Sequence, residues 1–249
     1  MFFNSLINNF NFDSLKISFF YFRYGVFVVA MVFLFNISNK FLKYFFVSIS
    51  ICFIVLNFDG FYQYFNEVNI TGYSTGNKYR VSSFFYDELI LGSYLSRLTP
   101  MLFGLFIIIF QNKKKNYIFY TLFCFSLVLV FLSGERSAFF YIILFILFLI
   151  VFSNTLAKTL MVMSFLCLLL ISIVTLIKPN AFHRIIEYTI SQISSVTEDN
   201  QTKIYIFSKN HTYHYITAYK MFLDNKVLGV GVKNFRKFCG DKRYEVSKL

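Results

Sequence analysis

The chain has 249 residues, of which 57% are hydrophobic, 22% aromatic and only 14% charged, with 37 Phe, 18 Tyr and no Trp. This composition excludes an ordinary soluble globular domain, and several apolar stretches approach the roughly 20 residues needed to cross about 30 Å of hydrocarbon. The net charge of +12 comes from cations in loops beside apolar segments. It therefore reads as membrane orientation and contact with anionic headgroups or a phosphorylated lipid. No nucleic-acid partner is expected, since neither a recognised module nor an uninterrupted basic stripe is visible.

In chain order, Met1 to Ser14 lacks a basic region followed by an apolar core, so no cleavable signal peptide is expected. Hydropathy then predicts about six spans: Ile17 to Asn36, Phe41 to Phe58, Leu89 to Phe110, Asn116 to Leu132, Ala138 to Phe152, and Thr155 to Ile177. Arg23 lies inside the first and must snorkel or face protein. The basic cluster Lys113-Lys114-Lys115 is assigned to the cytoplasm, and Lys40, Lys43 and Lys158 fall on the same side. Asp59 to Glu88, the Ser133 to Ser137 turn and everything after Lys178 are then outside.

The predicted fold is thus an all-α polytopic transmembrane helical bundle. Residues 1–177 form the membrane region with an outer loop at 59–88, and residues 178–249 form a mostly helical outer segment. Within that segment Asn210 to Asp224 reads as a helix whose stripe is Tyr213, Ile216, Tyr219, Met221 and Phe222. A glycine-punctuated turn, Leu228 to Phe235, follows it. Cys52, Cys124 and Cys167 lie in apolar runs and read as packing residues, while Cys239 is alone in a polar region.

Charge in so apolar a chain singles out a few positions. Glu135 and Arg136 interrupt two long apolar runs, and a charge at bilayer depth costs several kcal/mol, so such residues mark a site or a topological anchor. Glu135 and Arg136 read either as a hydrated interfacial turn bent at Gly134, or with Arg136 holding a diphosphate through its planar fork. In the outer loop, Asp87 and Glu88 read as first-turn acids of a helix beginning near Asp87, or as a general base beside the anion clamp Arg80. Gly229-x-Gly231 lacks the third glycine and the strand of a dinucleotide site. His211 and His214 have helical spacing but no completing ligand set, so neither a cofactor nor a metal is expected. His183-Arg184 follows the sixth span closely and reads as a headgroup anchor.

Three pieces in order resemble the bacterial O-antigen ligase and O-antigen polymerase superfamily. They are Arg80-Val81-Ser82-Ser83-Phe84 with Asp87-Glu88, then Ser133-Gly134-Glu135-Arg136-Ser137, then Asn225 to Phe235 with Gly229, Gly231 and Asn234. The family often has Gly where Ser83 stands and Pro where Val232 stands. The resemblance implies glycosyl transfer from an undecaprenyl-diphosphate-linked saccharide to a glycan or lipid A core acceptor, in O-antigen or surface polysaccharide assembly. The site would face the periplasm from the bacterial inner membrane, in contact with membrane lipids. Arg80 and Arg136 would hold the diphosphate, Asp87 or Glu88 would activate the acceptor, and Gly229, Gly231, Asn234 and Arg236 would contribute to substrate binding. Family members usually continue to a His-containing outer segment and further spans, so the resemblance also implies a truncated member. A transporter or flippase component, or an inactive fragment, is the alternative expectation.

Overall fold

The computed structural model describes residues 12–77, 79–110, 117–153, 157–196, 202–204 and 209–244; the cluster Lys113 to Lys115 lies outside them. The chain divides into two units, Asn39–Thr189 and a second made of Met1–Ser38 with Ile190–Leu249. Each is helical because its apolar runs must satisfy their backbone groups internally. Among the described residues, four helices are long and apolar enough to cross a membrane, and two shorter apolar helices accompany them.

The first unit contains five helices that carry the argument. These are α3 (Asn39–Asn66), α4 (Leu91–Ile109), α5 (Tyr117–Leu132), α6 (Arg136–Phe152) and α7 (Ala157–Ile177). Helix α4 is the central one. Its buried residues Leu91, Leu95, Thr99, Leu102, Phe103 and Phe106 recur at three- and four-residue spacing, the period of a helix face turned to a core. That face meets α5 through aromatic contacts, including a parallel Phe106–Phe119 stack with centroids 4.0 Å apart and a Phe103–Phe123 pair at 5.4 Å. Helix α5 is buried without a break from Leu127 to Leu132. By contrast α6 and α7 turn large apolar side chains outward, among them Phe148, Phe152, Phe165 and Ile177, as lipid-facing helices do. Arg97 is an exposed cation within α4. It stands six residues from the helix start, roughly 9 Å along the axis, within snorkelling reach of that end. Cys124 and Cys167 are buried with sulfurs 2.7 Å apart, joining α5 to α7, whereas Cys52 is exposed.

After α7 the chain turns at Pro179 into a short helix, α8 (Asn180–Phe182), a π-helical turn at His183–Glu187, and α9 (Tyr188–Ile193).

The second unit holds α1 (Phe12–Phe20), α2 (Phe22–Ile37), α10 (Lys209–Asp224) and α11 (Phe235–Phe238). It also contains a three-residue antiparallel pair, β1 (Ser194–Val196) with β2 (Thr202–Ile204), which the sequence reading did not foresee. On α2, Arg23 donates to the Tyr24 hydroxyl and lies 4.9 Å from that ring's centroid. The buried stripe of α10 is Thr217 and Met221, flanked by the half-buried Tyr213, while Tyr219 and Phe222 are exposed. The apolar residues of α10 therefore do not all share one face, because 219 and 222 project away from the 213–217–221 line.

The six apolar segments of the sequence reading are all helical, four of them of spanning length among the described residues, with one boundary that matters. The second was expected to end at Phe58 and the outer loop to begin at Asp59; the helix instead continues to Asn66. Asp59 is fully buried within it.

Candidate functional site

One end of the Asn39–Thr189 unit gathers the C-termini of α3, α5 and α7 and the N-termini of α4 and α6. The junction between α5 and α6 is its centre. Ser133 donates its amide to Leu129 and Gly134 to Phe131, closing the helix end. Gly134 then takes φ +70°, the left-handed conformation with which glycine terminates helices. A Cβ there would stand 2.5 Å from the Tyr79 carbonyl oxygen, 3.2 Å from Arg184 Cδ and 3.3 Å from Arg80 Cγ. Glycine is thus what lets the loop between α3 and α4 and the segment after α7 close on this turn.

Glu135 follows with extended dihedrals and α6 starts at Arg136. The carboxylate of Glu135 caps a neighbouring helix. It accepts from the Gly92 amide at 2.8 Å, the Ser93 amide at 3.1 Å and the Ser93 hydroxyl at 2.5 Å. These amides belong to the first turn of α4, where backbone donors lack intrahelical partners and the helix dipole favours an anion. Asp87 and Glu88 do not have that role, contrary to the first-turn placement expected for them. Helix α4 begins at Leu91, and both acids lie exposed in the preceding turn. The Asp87 carboxylate accepts from the Tyr73 hydroxyl.

Three guanidiniums meet around the turn. Arg80 stands 3.8 Å from Glu135 and donates to the Leu89 carbonyl. Its Nε is buried with no acceptor among the described residues. Burial pushes the Arg80 guanidinium below its ordinary pKa, Glu135 opposes this, and Arg184 and Arg136 push it down further. It remains protonated at any working pH. Arg184 donates from Nε to the Gly134 carbonyl at 3.2 Å, and Arg136 donates to the Thr189 hydroxyl at 3.3 Å. Arg136 also sits at the positive end of the α6 dipole. Three guanidiniums therefore gather at one turn, where Arg80 pairs with a carboxylate already engaged by three donors while Arg184 and Arg136 repel it, an arrangement that an anion with several oxygens would relieve.

The loop that carries Arg80 is held by a buried polar network. The Asp59 carboxylate accepts from the Ile70 amide at 2.8 Å and from the Ser83 hydroxyl. Gln63 accepts from the Ser82 and Ser83 amides at 3.0 and 2.6 Å, and Asn69 donates to the Ser83 carbonyl at 3.2 Å. Ser83 has φ +52°, so these bonds hold in place a conformation that glycine would adopt without strain.

Sequence reasoning brought Arg80 and Arg136 together and missed Arg184, Asp59 and Gln63. Arg184 had a signal, a cation just past a span, but its reach to Gly134 depends on the π-helical turn, which sequence does not announce. Beside it His183 pairs with Glu187, both exposed.

Gly229, Gly231, Asn234 and Arg236 lie in the second unit. Gly229 and Gly231 have φ +67° and +90°. The Asn234 amide donates to the Val230 carbonyl at 3.0 Å, and its oxygen accepts from the Ser14 hydroxyl at 3.2 Å. Buried Asn234 thus organises the glycine turn itself, while Arg236 is exposed on α11. The ring of His214 packs 6.1 Å from that of Phe235.

A family model described as O-antigen ligase matches residues 121–247. The match takes in Glu135, Arg136, Arg184 and the glycine turn, and begins after Arg80, Asp87 and Glu88. Comparison with curated proteins and with solved structures gives no match.

Proposed function

We propose that this chain, which belongs to the O-antigen ligase family, uses the arginines around Gly134 to hold the diphosphate of a polyprenyl-linked saccharide during transfer of the saccharide to a glycan or lipid A core acceptor. An O-antigen ligase-type glycosyltransferase role follows from the family; the carrier, the acceptor and the residues are our reading. The observation that carries it is the convergence of Arg80, Arg136 and Arg184 on one turn, where Glu135, the carboxylate beside Arg80, is already bonded to three donors.

In such a transfer the acceptor hydroxyl attacks the anomeric carbon, the bond from that carbon to the phosphate oxygen breaks, and the electron pair leaves with the diphosphate. Negative charge builds on the leaving group. Preorganised guanidiniums aimed at it stabilise the transition state more than the ground state, and removing one such donor typically costs about 10²–10³ in rate. The acceptor proton goes to an exposed carboxylate of the preceding turn, Asp87 or Glu88. The contacts of Arg80, Glu135, Arg136 and Arg184 lie at helix ends. That position suits a reaction at the membrane interface, with the lipid tail in the bilayer, and disfavours transport through the midplane. We assign this end to the periplasmic face of a bacterial inner membrane, following the lysine loops. Gly229, Gly231, Asn234 and Arg236 are proposed to contribute to substrate binding.

The test is alanine substitution of Arg136 and of Arg80 in a cell that relies on this protein for surface polysaccharide. Loss of the polymer with normal protein level and melting temperature is the expected result. Unchanged polysaccharide in Arg136→Ala would overturn the reading.

A further inference from the structure

We infer that the polar cavity with Arg80 on its wall, where the end of α3 meets the end of α7, is a saccharide subsite that takes one sugar ring of the lipid-linked donor; this rests on the diphosphate reading above. The cavity measures about 160 Å³ and is lined by Tyr64, Ser74, Thr75, Asn77 and Lys178, with Arg80 on its wall. Sites that bury a drug-sized ligand run to roughly 300–1,000 Å³, so this one suits a single small unit.

Its chemistry is that of a polyhydroxyl ligand. Hydroxyl and amide side chains both donate and accept, as sugar hydroxyls do. Lys178 donates to Glu67 at 3.0 Å and to the Tyr64 carbonyl at 3.1 Å. An ammonium beside a carboxylate can bracket neighbouring hydroxyls, and the carboxylate discourages a bare anion. An acyl chain is also a poor fit. The apolar cavity lined by Phe139, Ile142, Ile146 and Ile171 between α6 and α7 offers that chemistry instead.

The walls are built rather than incidental. The Tyr64 hydroxyl donates to the Lys178 carbonyl at 2.6 Å, binding the end of α3 to the end of α7. Thr75 donates to the Asn77 carbonyl at 3.1 Å and to the Arg80 carbonyl at 3.4 Å, and Asn77 accepts from the Tyr79 amide at 3.0 Å. The same loop that lines the cavity therefore sets the position of Arg80. A sugar in the cavity would have its anomeric phosphate next to the guanidinium, the order that a sugar diphosphate requires.

The experiment titrates the full chain in nanodiscs with geranylgeranyl diphosphate and with the same carrier bearing glucose, galactose or N-acetylglucosamine. At least one sugar-bearing carrier should bind about tenfold tighter than the bare carrier, the worth of one or two net hydrogen bonds. Ser74→Trp, which fills the cavity from its exposed rim, should erase that preference and leave bare-carrier affinity unchanged. If Ser74→Trp loses bare-carrier binding as well, Lys178→Met decides by the same criterion. No preference for any of the three sugars in the wild type, or a preference that survives both substitutions, overturns the subsite. Bare-carrier affinity that falls in Arg136→Ala keeps the diphosphate reading whatever the sugars do, whereas no binding of any carrier sinks both.

Discussion

Replacing Gly134 by alanine separates two effects that the turn combines. At φ +70° an L-residue costs about 1–2 kcal/mol in backbone strain. In addition the new Cβ would lie 2.5 Å from the Tyr79 carbonyl oxygen, where real Cβ contacts do not fall under 3.0 Å, so that carbonyl must recede by about 0.5 Å. Tyr79 precedes Arg80, and the same Cβ presses on Arg80 Cγ and Arg184 Cδ at 3.3 and 3.2 Å. Misplacing a positioning group by 1 Å can cost about 10²-fold in rate, so a shift of half that size should cost about tenfold. Gly72 supplies the control: its φ is +82°, and nothing lies within 4 Å of a Cβ built on it. Both variants should therefore lose stability from strain, and Gly134→Ala more because of the added clash, read as melting temperature in detergent. Only Gly134→Ala should lose transfer, read as product formed from a polyprenyl-diphosphate saccharide by mass spectrometry. Equal transfer rates for Gly134→Ala and Gly72→Ala would refute the reasoning.

Three more outcomes follow from other contacts. Glu135→Ala leaves the Gly92 and Ser93 amides without their acceptor, at about 1–3 kcal/mol for each buried donor, and should lower the melting temperature well beyond Ser93→Ala. Arg184→Lys keeps the charge but removes the Nε donor to the Gly134 carbonyl, so transfer should fall by about 10²-fold with little thermal change; wild-type transfer would remove Arg184 from the site. Asp59→Ala unpairs the Ile70 amide and the Ser83 hydroxyl. It should raise hydrogen exchange across residues 67–90 selectively, whereas exchange unchanged there would mean that the loop does not depend on Asp59.

Much of the framework was legible residue by residue. An apolar run such as Ala157–Ile177 has no alternative to a helix in hydrocarbon, so its element type follows from composition alone. The order and common side of the loops carrying Arg80 and Arg136 followed from lysine placement. What stayed hidden was the use of each polar group. Asp59 read as the first residue of a loop because a carboxylate so near a span usually marks its end, yet two donors from residues 70 and 83 keep it inside the helix. Asp87 and Glu88 read as first-turn acids of a helix or as a general base, but the acid at the first turn of α4 is Glu135, forty-three residues beyond Gly92.

The Glu135-Arg136 pair illustrates both levels. Sequence by itself determined that these two charges interrupt an apolar stretch and must sit at a helix end, because burying either in lipid is too costly. It also determined that Gly134 bends the chain there. Only the tertiary structure decided what each charge touches. Glu135 satisfies the first turn of α4, while Arg136 joins Arg80 and Arg184 around the glycine. The physical reason is that spans follow from local hydrophobicity, whereas hydrogen-bond partners are chosen across the bundle, by whichever distant donors packing brings within about 3 Å.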